Sequence, residues 1–190
     1  MCGHGIWHAA FDDNLTHIRF KDFYGDITQN YNFTSGNQQN YIVGNTFNGT
    51  NLSPDNSIDI QYATSLEIGF GGTVYENTFS NSINGISAIN ASLWLRNNHF
   101  QNIPRADVLI FGDDECNDRS LEVGNGSNGG ANLFETSANG IISVGEVNLN
   151  IHWNKNNNNG FRGIANESIA VFNNYTKKIE VTDNEISQFN

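Results

Sequence analysis

Short alternations of apolar and polar residues recur along this chain in the same internal order. Residues 74–79 read Val-x-x-Asn-x-Phe, residues 95–100 repeat this as Leu-x-x-Asn-x-Phe, and residues 42–47 read Ile-x-x-Asn-x-Phe. Such alternation is typical of a strand with one buried face. A phrase that returns about every 20 to 50 residues predicts a stacked architecture, in which each unit buries its apolar face against its neighbours.

The apolar residue three positions before each repeated Asn is taken as the anchor of its unit. In two units Phe23 and Gly126 stand where the Asn would be, so those anchors depend on the alternation alone. The anchors are Phe20, Ile42, Val74, Leu95, Val123, Trp153 and Val181. A second apolar series consists of Ile27, Ile60, Ile86, Val108, Ile141 and Ile164. Two such series, separated by loops of uneven length, predict three short strands per turn.

We therefore expect an all-β chain that forms a right-handed parallel β-helix of about seven coils, with residues 1–190 as a single domain. Loops of irregular length fit this architecture because they project outward without disturbing the stack. A β-sandwich or a jelly roll also contains many short strands, but neither needs the same phrase at every turn.

Asparagine is the most unusual feature of the composition, with 33 residues in a chain of 190. Its side chain can hydrogen-bond to nearby backbone groups and tolerates left-handed backbone. At a repeated turn position it can bond to the coils above and below. The sequence predicts an internal asparagine ladder, formed by Asn45, Asn77, Asn98, Asn156 and Asn184. Phe47, Phe79 and Phe100 should stack beside it.

The charge of the chain limits its partners. The net charge is −11 with only nine Lys and Arg, which disfavours nucleic acid and anionic membrane surfaces. No apolar run approaches the length of a membrane span, and no signal peptide is apparent. Cys2 and Cys116 allow either two thiols or one bridge.

The Ile-x-x-Asn-x-Phe phrase, followed by Gly-Ile as at Gly85 and Ile86, resembles the right-handed parallel β-helix repeat proteins. The resemblance covers roughly residues 15–190, and it is strongest to repeats of large secreted or surface-displayed bacterial proteins. It implies an extracellular or cell-surface location and a chain that is a segment of a longer protein. Lyases, pectin hydrolases, tailspikes and adhesins share the scaffold, so the resemblance implies no single activity.

One group within this fold, the polygalacturonase-like enzymes, carries an Asp-Asp followed by a Gly-His-Gly on consecutive coils. Here Gly-His-Gly at residues 3–5 comes before Asp-Asp at residues 113–114, so the order is reversed. About four coils would separate them, on the order of 20 Å at sheet spacing. One site cannot use both phrases.

Outward residues beside the anchors give a family-independent hypothesis. The row just before the anchors contains Arg19, Tyr41, Thr73, Trp94, Glu122, His152 and Glu180. The row just after them contains Lys21, Val43, Tyr75, Arg96, Gly124, Asn154 and Thr182. Aromatic rings beside hydrogen-bonding groups suit sugar rings. We predict polysaccharide binding at Tyr41, Tyr75, Trp94 and Arg96, unless a long loop, residues 48–57 or 124–139, covers these rings.

The same face supplies candidate catalytic residues. Glu122 and Glu180 would lie about 9 to 10 Å apart, near the upper limit for the two carboxylates of an inverting glycosidase. His152 between them would act as a general base if a carboxylate held its ring. The alternative is a solvated charged face.

A run of acidic residues offers a candidate calcium site at Asp113, Asp114, Glu115 and Asp118. Calcium prefers oxygen ligands, but no EF-hand phrase is present, and such a run is also typical of a solvated loop. No other cofactor is indicated.

Together these features favour a non-catalytic extracellular module, either a stalk or a carbohydrate-facing adhesin unit. One alternative is a polysaccharide lyase or glycoside hydrolase with its site on the outward strand face. Another is a self-assembling structural protein, because an uncapped β-helix leaves strand edges open at both ends.

Overall fold

The computed structural model describes residues 18–20, 41–42, 44, 46–48, 56–61, 66–69, 76–113, 119–124, 130–152, 154, 160–174 and 177–187. Eighteen short strands and no helix are found in these ranges. The strands form three sheets of six strands each, and every pairing between them is parallel.

Sheet 1 contains β1 (Ile18–Phe20), β4 (Ile58–Gln61), β7 (Asn84–Ile89), β10 (Ala106–Gly112), β13 (Ile141–Gly145) and β16 (Ile169–Phe172). Sheet 2 contains β2 (Tyr41–Ile42), β5 (Leu66–Ile68), β8 (Leu93–Leu95), β11 (Ser120–Val123), β14 (Asn148–His152) and β17 (Ile179–Thr182). Sheet 3 contains β3 (Thr46–Asn48), β6 (Asn77–Ser80), β9 (Asn98–Gln101), β12 (Leu133–Glu135), β15 (Gly160–Arg162) and β18 (Ile186–Ser187).

Each strand pairs with the strand three places further along the chain, which is one full turn of a coil. The chain is therefore a parallel β-helix with three strands per turn, as the repeat phrase predicts. The described strands complete six turns of it. At the usual strand spacing, the six levels span roughly 24 Å.

A column of phenylalanine rings fills the inside of sheet 3. The rings belong to Phe47, Phe79, Phe100, Phe134 and Phe161, all fully buried. Successive ring centroids lie 4.8, 4.7, 5.2 and 4.5 Å apart, and the planes are within 10° of parallel. These distances match the spacing of neighbouring strands, so each ring stacks on the ring one turn away. The predicted stack is confirmed, and it continues for two more turns.

The asparagine ladder is confirmed between Asn77 and Asn98, whose side chains hydrogen-bond at 3.0 Å. It continues through Asn132, Asn154 and Asn184, with amide-to-carbonyl distances of 2.9, 3.1 and 2.8 Å. Each side-chain amide also donates to a backbone carbonyl of sheet 2, for example from Asn98 to Ile68 at 2.7 Å.

The observed ladder differs from the predicted one at two rungs. Asn154 occupies the rung for which Asn156 was predicted, and Asn132 supplies a rung in the fifth unit, where none was expected. Asn45 and Asn156 lie outside the described residues. A ladder residue donates from its side-chain amide both to a backbone carbonyl of sheet 2 and to the side chain of the next ladder Asn. Asn154 makes both hydrogen bonds.

The anchor series is correct at Ile42, Leu95, Val123 and Val181, which occupy one inward column of sheet 2. It was wrong at Phe20, which pairs with Ile60 in sheet 1. In the remaining turns the column passes through Ile68 and Ile151, and the predicted Val74 and Trp153 lie outside the described residues.

The shift at Ile68 reflects a variable number of residues between the sheet 2 column and the ladder Asn, whereas Ile151 was missed because Asn156, and not Asn154, was taken as the ladder residue. Three positions separate Leu95 from Asn98, but nine separate Ile68 from Asn77 and Val123 from Asn132. A fixed distance counted back from Asn therefore misses the sheet 2 column wherever more residues separate the column from the Asn.

The second apolar series is correct at Ile86, Val108 and Ile141, which are paired neighbours in sheet 1. Ile60 pairs with Ala88 rather than with Ile86, and the column ends at Ile169 instead of Ile164. Ile27 lies outside the described residues. Both Ile60 and Ile164 are nevertheless buried, since they fill the core at other positions of the same turns.

Candidate functional site

The outward face of sheet 2 presents two rows of side chains across the strands. The first row contains Tyr41, Glu67, Trp94, Glu122, Asn150 and Glu180. The second row lies two residues further along each strand and contains Gly69, Arg96, Gly124, His152 and Thr182. Alternation along the strands places these residues outside because their neighbours Ile68, Leu95, Val123 and Ile151 point into the core.

We name the central part of this face the outward patch and define it by Glu67, Trp94, Arg96, Glu122, Asn150 and His152. Arg96 lies at its centre, on a turn between those of the two glutamates. Its Nη1 lies 3.1 Å from Oε1 of Glu67, and its Nη2 lies 3.5 Å from Oε1 of Glu122. The guanidinium carbon is 5.6 Å from the centroid of the Trp94 ring, within the range of a cation–π contact. Three neighbours therefore hold Arg96 against the sheet.

Glycines on both sides of Arg96 leave room for its side chain. Gly69 and Gly124 occupy its row on the two neighbouring turns, and both have positive φ angles, +82° and +92°. A Cβ at Gly69 would lie 1.7 Å from the carbonyl oxygen of Arg96, and one at Gly124 would lie 1.9 Å from that of His152. The tight approach of successive turns thus requires glycine at these positions, and the missing side chains keep the patch open around Arg96.

Glu67 is the most deeply buried member of the patch, with 2 % of its surface exposed. Burial raises the pKa of its carboxyl above the usual range, Arg96 lowers it, and the nearby Glu122 raises it. Its Oε1 is paired with Arg96, while its Oε2 has no hydrogen-bond partner within the described part of the chain. The carboxylate is therefore held in place by one ionic contact.

The predicted catalytic residues are brought together only in part. Glu122 Oε1 and His152 Nε2 are 3.8 Å apart, which is longer than a hydrogen bond. Asn150, not His152, stands between Glu122 and Glu180 in the first row, so the predicted position of His152 was wrong by two residues. The separation of the two glutamates by two strands is as predicted. Glu180 is exposed and paired with Lys178 at 2.7 Å.

Two of the four predicted ligand-binding residues, Trp94 and Arg96, are in contact, and both are partly exposed. Tyr41 lies in the first row, opposite Glu67, but its side chain is outside the described part of the structure. Tyr75 is also outside it. Two assignments to the predicted first row were wrong. Glu67 occupies the position predicted for Thr73, and Arg19 belongs to sheet 1 instead of sheet 2.

Of the predicted calcium ligands, only Asp113 is described. It is exposed and forms a reciprocal pair with Asn90: the Asn90 amide donates to Asp113 Oδ2 at 2.7 Å, and the Asp113 backbone N–H donates to Asn90 Oδ1 at 2.9 Å. Asp114, Glu115 and Asp118 lie outside the described residues, as do Cys2 and Cys116. No group of three His, Cys, Asp or Glu side chains within the described ranges is placed to hold a metal ion.

The other two outward faces have different chemistry. Sheet 3 is polar, with His99 Nε2 lying 3.2 Å from Glu135 Oε2, but its described outward residues include no Phe, Tyr or Trp. Sheet 1 is largely apolar on its outside, with Ile89, Phe111, Val144 and Phe172 in one row. On sheet 2, an aromatic ring and a charged side chain are in contact on the outward face, Trp94 and Arg96.

A second buried carboxylate lies away from the patch. Asp107, in β10, is fully buried and accepts a hydrogen bond from the Ser137 hydroxyl at 2.6 Å. Burial raises the pKa of this carboxyl well above its usual range, and the bond from Ser137 lowers it by less. Asp107 contributes to the interior and not to an outward site.

Sequence reasoning missed Glu67 and Asn150. A signal for Glu67 was available, because it is the single polar residue between two apolar ones in Leu66–Ile68. It was missed because the anchor of that turn was placed at Val74, six residues beyond Ile68.

Comparison of the chain with models of protein families, with curated proteins and with solved structures found no match. In the described part of the chain there is also no helix with the length and hydropathy of a bilayer-spanning segment.

Proposed function

We propose that the chain is a non-catalytic extracellular or cell-surface module that binds a neutral polysaccharide on the outward face of sheet 2. The observation that carries this proposal is the contact between Trp94 and Arg96, with Glu67 and Glu122 on either side of the guanidinium. An aromatic ring can stack on the C–H face of a sugar while fixed charged groups hydrogen-bond to its hydroxyls.

The shape of the face supports a long ligand over a small one. The strands of sheet 2 stack along one direction, so equivalent positions recur at about 4.8 Å, and two turns correspond to roughly 10 Å. Trp94, Glu122 and Asn150 follow one another along this direction. A linear polysaccharide running parallel to the helix axis would meet these residues in succession.

The charge of the face supports a neutral glycan over an acidic one. Arg96 is already paired with two carboxylates, and Glu180 adds a third negative group along the row. The chain as a whole carries −11. An acidic polysaccharide would meet repulsion at this face, whereas hydroxyl groups can both donate to the carboxylates and accept from Arg96.

The test is binding of the chain to immobilised neutral and acidic oligosaccharides, with Trp94→Ala as the variant and Phe111→Ala as its matched control. Phe111 is a partly buried aromatic residue on the outward face of sheet 1, at a neighbouring level of the rod. We expect affinity for neutral oligosaccharides to fall at least about tenfold in Trp94→Ala and to stay unchanged in Phe111→Ala. Equal losses in both variants, or preference for acidic oligosaccharides, would contradict the proposal.

The enzymatic alternative is decided by product release. Glu122 is paired with Arg96, and Glu180 is paired with Lys178, so both carboxylates of the candidate pair have ionic partners. We expect no reducing ends or unsaturated products from the same polysaccharides. Release of such products by the wild type, lost in Glu122→Gln, would contradict the binding module and support a polysaccharide-degrading enzyme.

A further inference from the structure

The outward rows of sheet 2 run nearly straight along the β-helix, because two side-chain ladders hold the turns in line. The stacked Phe rings lie 4.5 to 5.2 Å apart, and the ladder asparagines hydrogen-bond at 2.8 to 3.1 Å. The usual sheet twist, roughly 20 to 25° between neighbouring strands, would displace equivalent side chains sideways and pull both ladders apart. Stacked ladders of this kind keep a sheet flat. Equivalent outward positions therefore follow a straight line at strand spacing.

The chemistry along the first outward row alternates from turn to turn. Trp94, Glu122, Asn150 and Glu180 occupy one position on four successive turns. The two carboxylates in this series are two turns apart, roughly 10 Å at strand spacing. Glu67, two turns before Glu122, continues the alternation beneath the surface, where it is 2 % exposed. The first row therefore repeats every second turn.

The second outward row has the same period. Arg96 and His152 lie two turns apart, and their side chains are 21 % and 23 % exposed. Gly124 occupies the turn between them and has no side chain. The Arg96 guanidinium donates hydrogen bonds, and the His152 ring can donate or accept them. Hydrogen-bonding groups therefore return on alternate turns along one edge of the first row.

A ligand that matches these rows must be straight and must repeat with the same period. In cello-, manno- and xylo-oligosaccharides, each ring is joined through two equatorial bonds on opposite sides, so the chain is an extended flat ribbon. Successive rings are turned over, and the same edge returns at every second sugar. Each sugar advances the ribbon by a length close to one strand spacing. Malto-oligosaccharides have one axial linking bond per ring, so they curve away from a straight row.

We propose that the ligand of the outward patch is a neutral glycan of this extended-ribbon class, lying along the rows with one sugar per turn. The inference rests on the proposed sugar binding and adds the class of linkage. The faces of such a ribbon carry C–H groups and its edges carry equatorial hydroxyls. One face stacks on Trp94, while hydroxyls of alternate sugars along one edge reach Arg96 and His152. Side chains two turns apart then select a straight ribbon over a curved chain.

Isothermal titration calorimetry of the full chain with hexasaccharides tests the linkage class. Cellohexaose and maltohexaose are a matched pair, because both consist of glucose and differ only in the equatorial or axial bond that joins the rings. We expect the tightest of the cello-, manno- and xylo-hexasaccharides to bind at least about tenfold more tightly than maltohexaose. Affinity for the ribbon should rise from two sugars to four, since each added sugar meets a further turn. Maltohexaose binding as tightly as the ribbon would overturn the proposal.

Asn150→Trp is a variant that should add affinity instead of removing it. An aromatic ring at this position lies two turns from Trp94, roughly 10 Å away, where it meets alternate sugars of one ribbon. We expect at least about a threefold gain in affinity for the ribbon hexasaccharide and no gain for maltohexaose. Gln101→Trp, on the outward face of sheet 3, is the matched control and should change neither affinity.

The outcomes separate the linkage class from sugar binding itself. Equal affinities for ribbon and maltohexaose, both lost in Trp94→Ala, would overturn the linkage class and leave neutral-sugar binding in place. Absence of binding to every hexasaccharide would overturn both proposals. Equal gains in Asn150→Trp and Gln101→Trp would overturn the alignment of sugars with turns, since an added ring would then bind sugar at any position.

Discussion

The inside and the outward patch of this β-helix differ in how often the same residue recurs. Inside sheet 3, five described turns present Phe in one column, and next to it five turns present Asn. On the outside of sheet 2, five successive turns present Glu67, Trp94, Glu122, Asn150 and Glu180, with only Glu repeated. In these two inner columns the flat rings and the amides stack directly on one another at strand spacing, which favours one residue type, whereas an outward position has no such requirement. Specific binding can therefore reside on the outward face of sheet 2, where the residue type changes from turn to turn.

The largest effect should come from the phenylalanine column. Phe100 is fully buried between Phe79 and Phe134, so Phe100→Ala should lower the free energy of unfolding by about 3 to 5 kcal/mol. Urea unfolding measures this change. His99→Ala on the same strand is the control, since His99 points outward and its loss should cost less than about 1 kcal/mol. Similar losses of unfolding free energy in Phe100→Ala and His99→Ala would show that inward and outward residues contribute equally to stability.

The asparagine ladder should give the next largest effect. Asn98→Ala removes the donor to Ile68 and to Asn132 and also the acceptor for Asn77. Because each buried group left without a partner costs about 1 to 3 kcal/mol, we expect a loss in that range at least. Asn150→Ala, on the outward face, should change stability little. Equal unfolding midpoints for the wild type and Asn98→Ala would show that the ladder does not hold the turns together.

Buried Asp107 predicts a dependence of stability on pH. Its folded pKa is raised above the ordinary value of 3.8, so the folded state retains a proton that the unfolded state has already lost. Stability contributed by this group is therefore complete below that ordinary value and is lost as the pH rises through the folded pKa. Asp107→Asn keeps an acceptor for Ser137 and cannot ionise, so it should unfold at a higher temperature than the wild type at neutral pH.

The control is the same comparison at acidic pH. Asp107 is then protonated in both the folded and the unfolded state, so the unfolding temperatures of the two proteins should differ little. Glu67, whose pKa is also raised, leaves some pH dependence in the variant. A difference in stability between Asp107→Asn and the wild type that does not grow as the pH rises from the ordinary Asp value would contradict the assignment.

A smaller gain in stability is expected at a turn. Thr136 has a φ of 54°, at the turn position that Asn81, Asn102 and Gly163 occupy after β6, β9 and β15 of sheet 3. A β-branched residue is strained in this left-handed conformation, so Thr136→Asn should stabilise the chain by about 1 kcal/mol. Thr182→Asn changes the same residue type within a strand and should give no gain. Thermal unfolding of the two variants separates the effects, and a loss at Thr136 would show that its hydroxyl contact with Asn102 outweighs the strain.

The smallest effect on folding is expected in the outward patch. Glu122→Gln weakens the ionic contact with Arg96, which remains paired with Glu67 and stacked near Trp94. The free energy of unfolding should therefore change by less than about 1 kcal/mol. If urea unfolding showed a loss of stability in Glu122→Gln comparable to that in Phe100→Ala, the outward patch would have a structural role instead of a binding role.

The sequence predicts the inner columns in which the same residue type recurs at each turn. It does not predict the register of sheet 2 where the number of residues before the ladder Asn changes. The neighbours Asn77 and Asn98, the column of Phe47, Phe79 and Phe100, and the anchors around them follow from one phrase, because stacking demands the same residue at each turn. Register was lost at Ile68, since a β-helix accepts insertions between sheet 2 and the ladder without changing the columns. It was lost at Ile151 because Asn156 was taken as the ladder residue in place of Asn154.

The candidate site could be predicted only as far as the register held. Trp94, Arg96 and Glu122 were placed correctly because Leu95 and Val123 are true members of the sheet 2 column. Glu67 and Asn150 were missed for the opposite reason. That Arg96 lies between two carboxylates and near a ring depends on side-chain reach across three strands, which a one-dimensional pattern does not contain.

The most direct test of the account is a map of backbone amide shifts during titration with a neutral oligosaccharide chosen from the binding panel. The account predicts that the shifts cluster in β5, β8, β11 and β14 and follow the line of Glu67, Trp94, Glu122 and Asn150, while the outward residues of sheet 3 stay unchanged. Saturable shifts confined to sheet 1 or sheet 3, with none in β8, would contradict it.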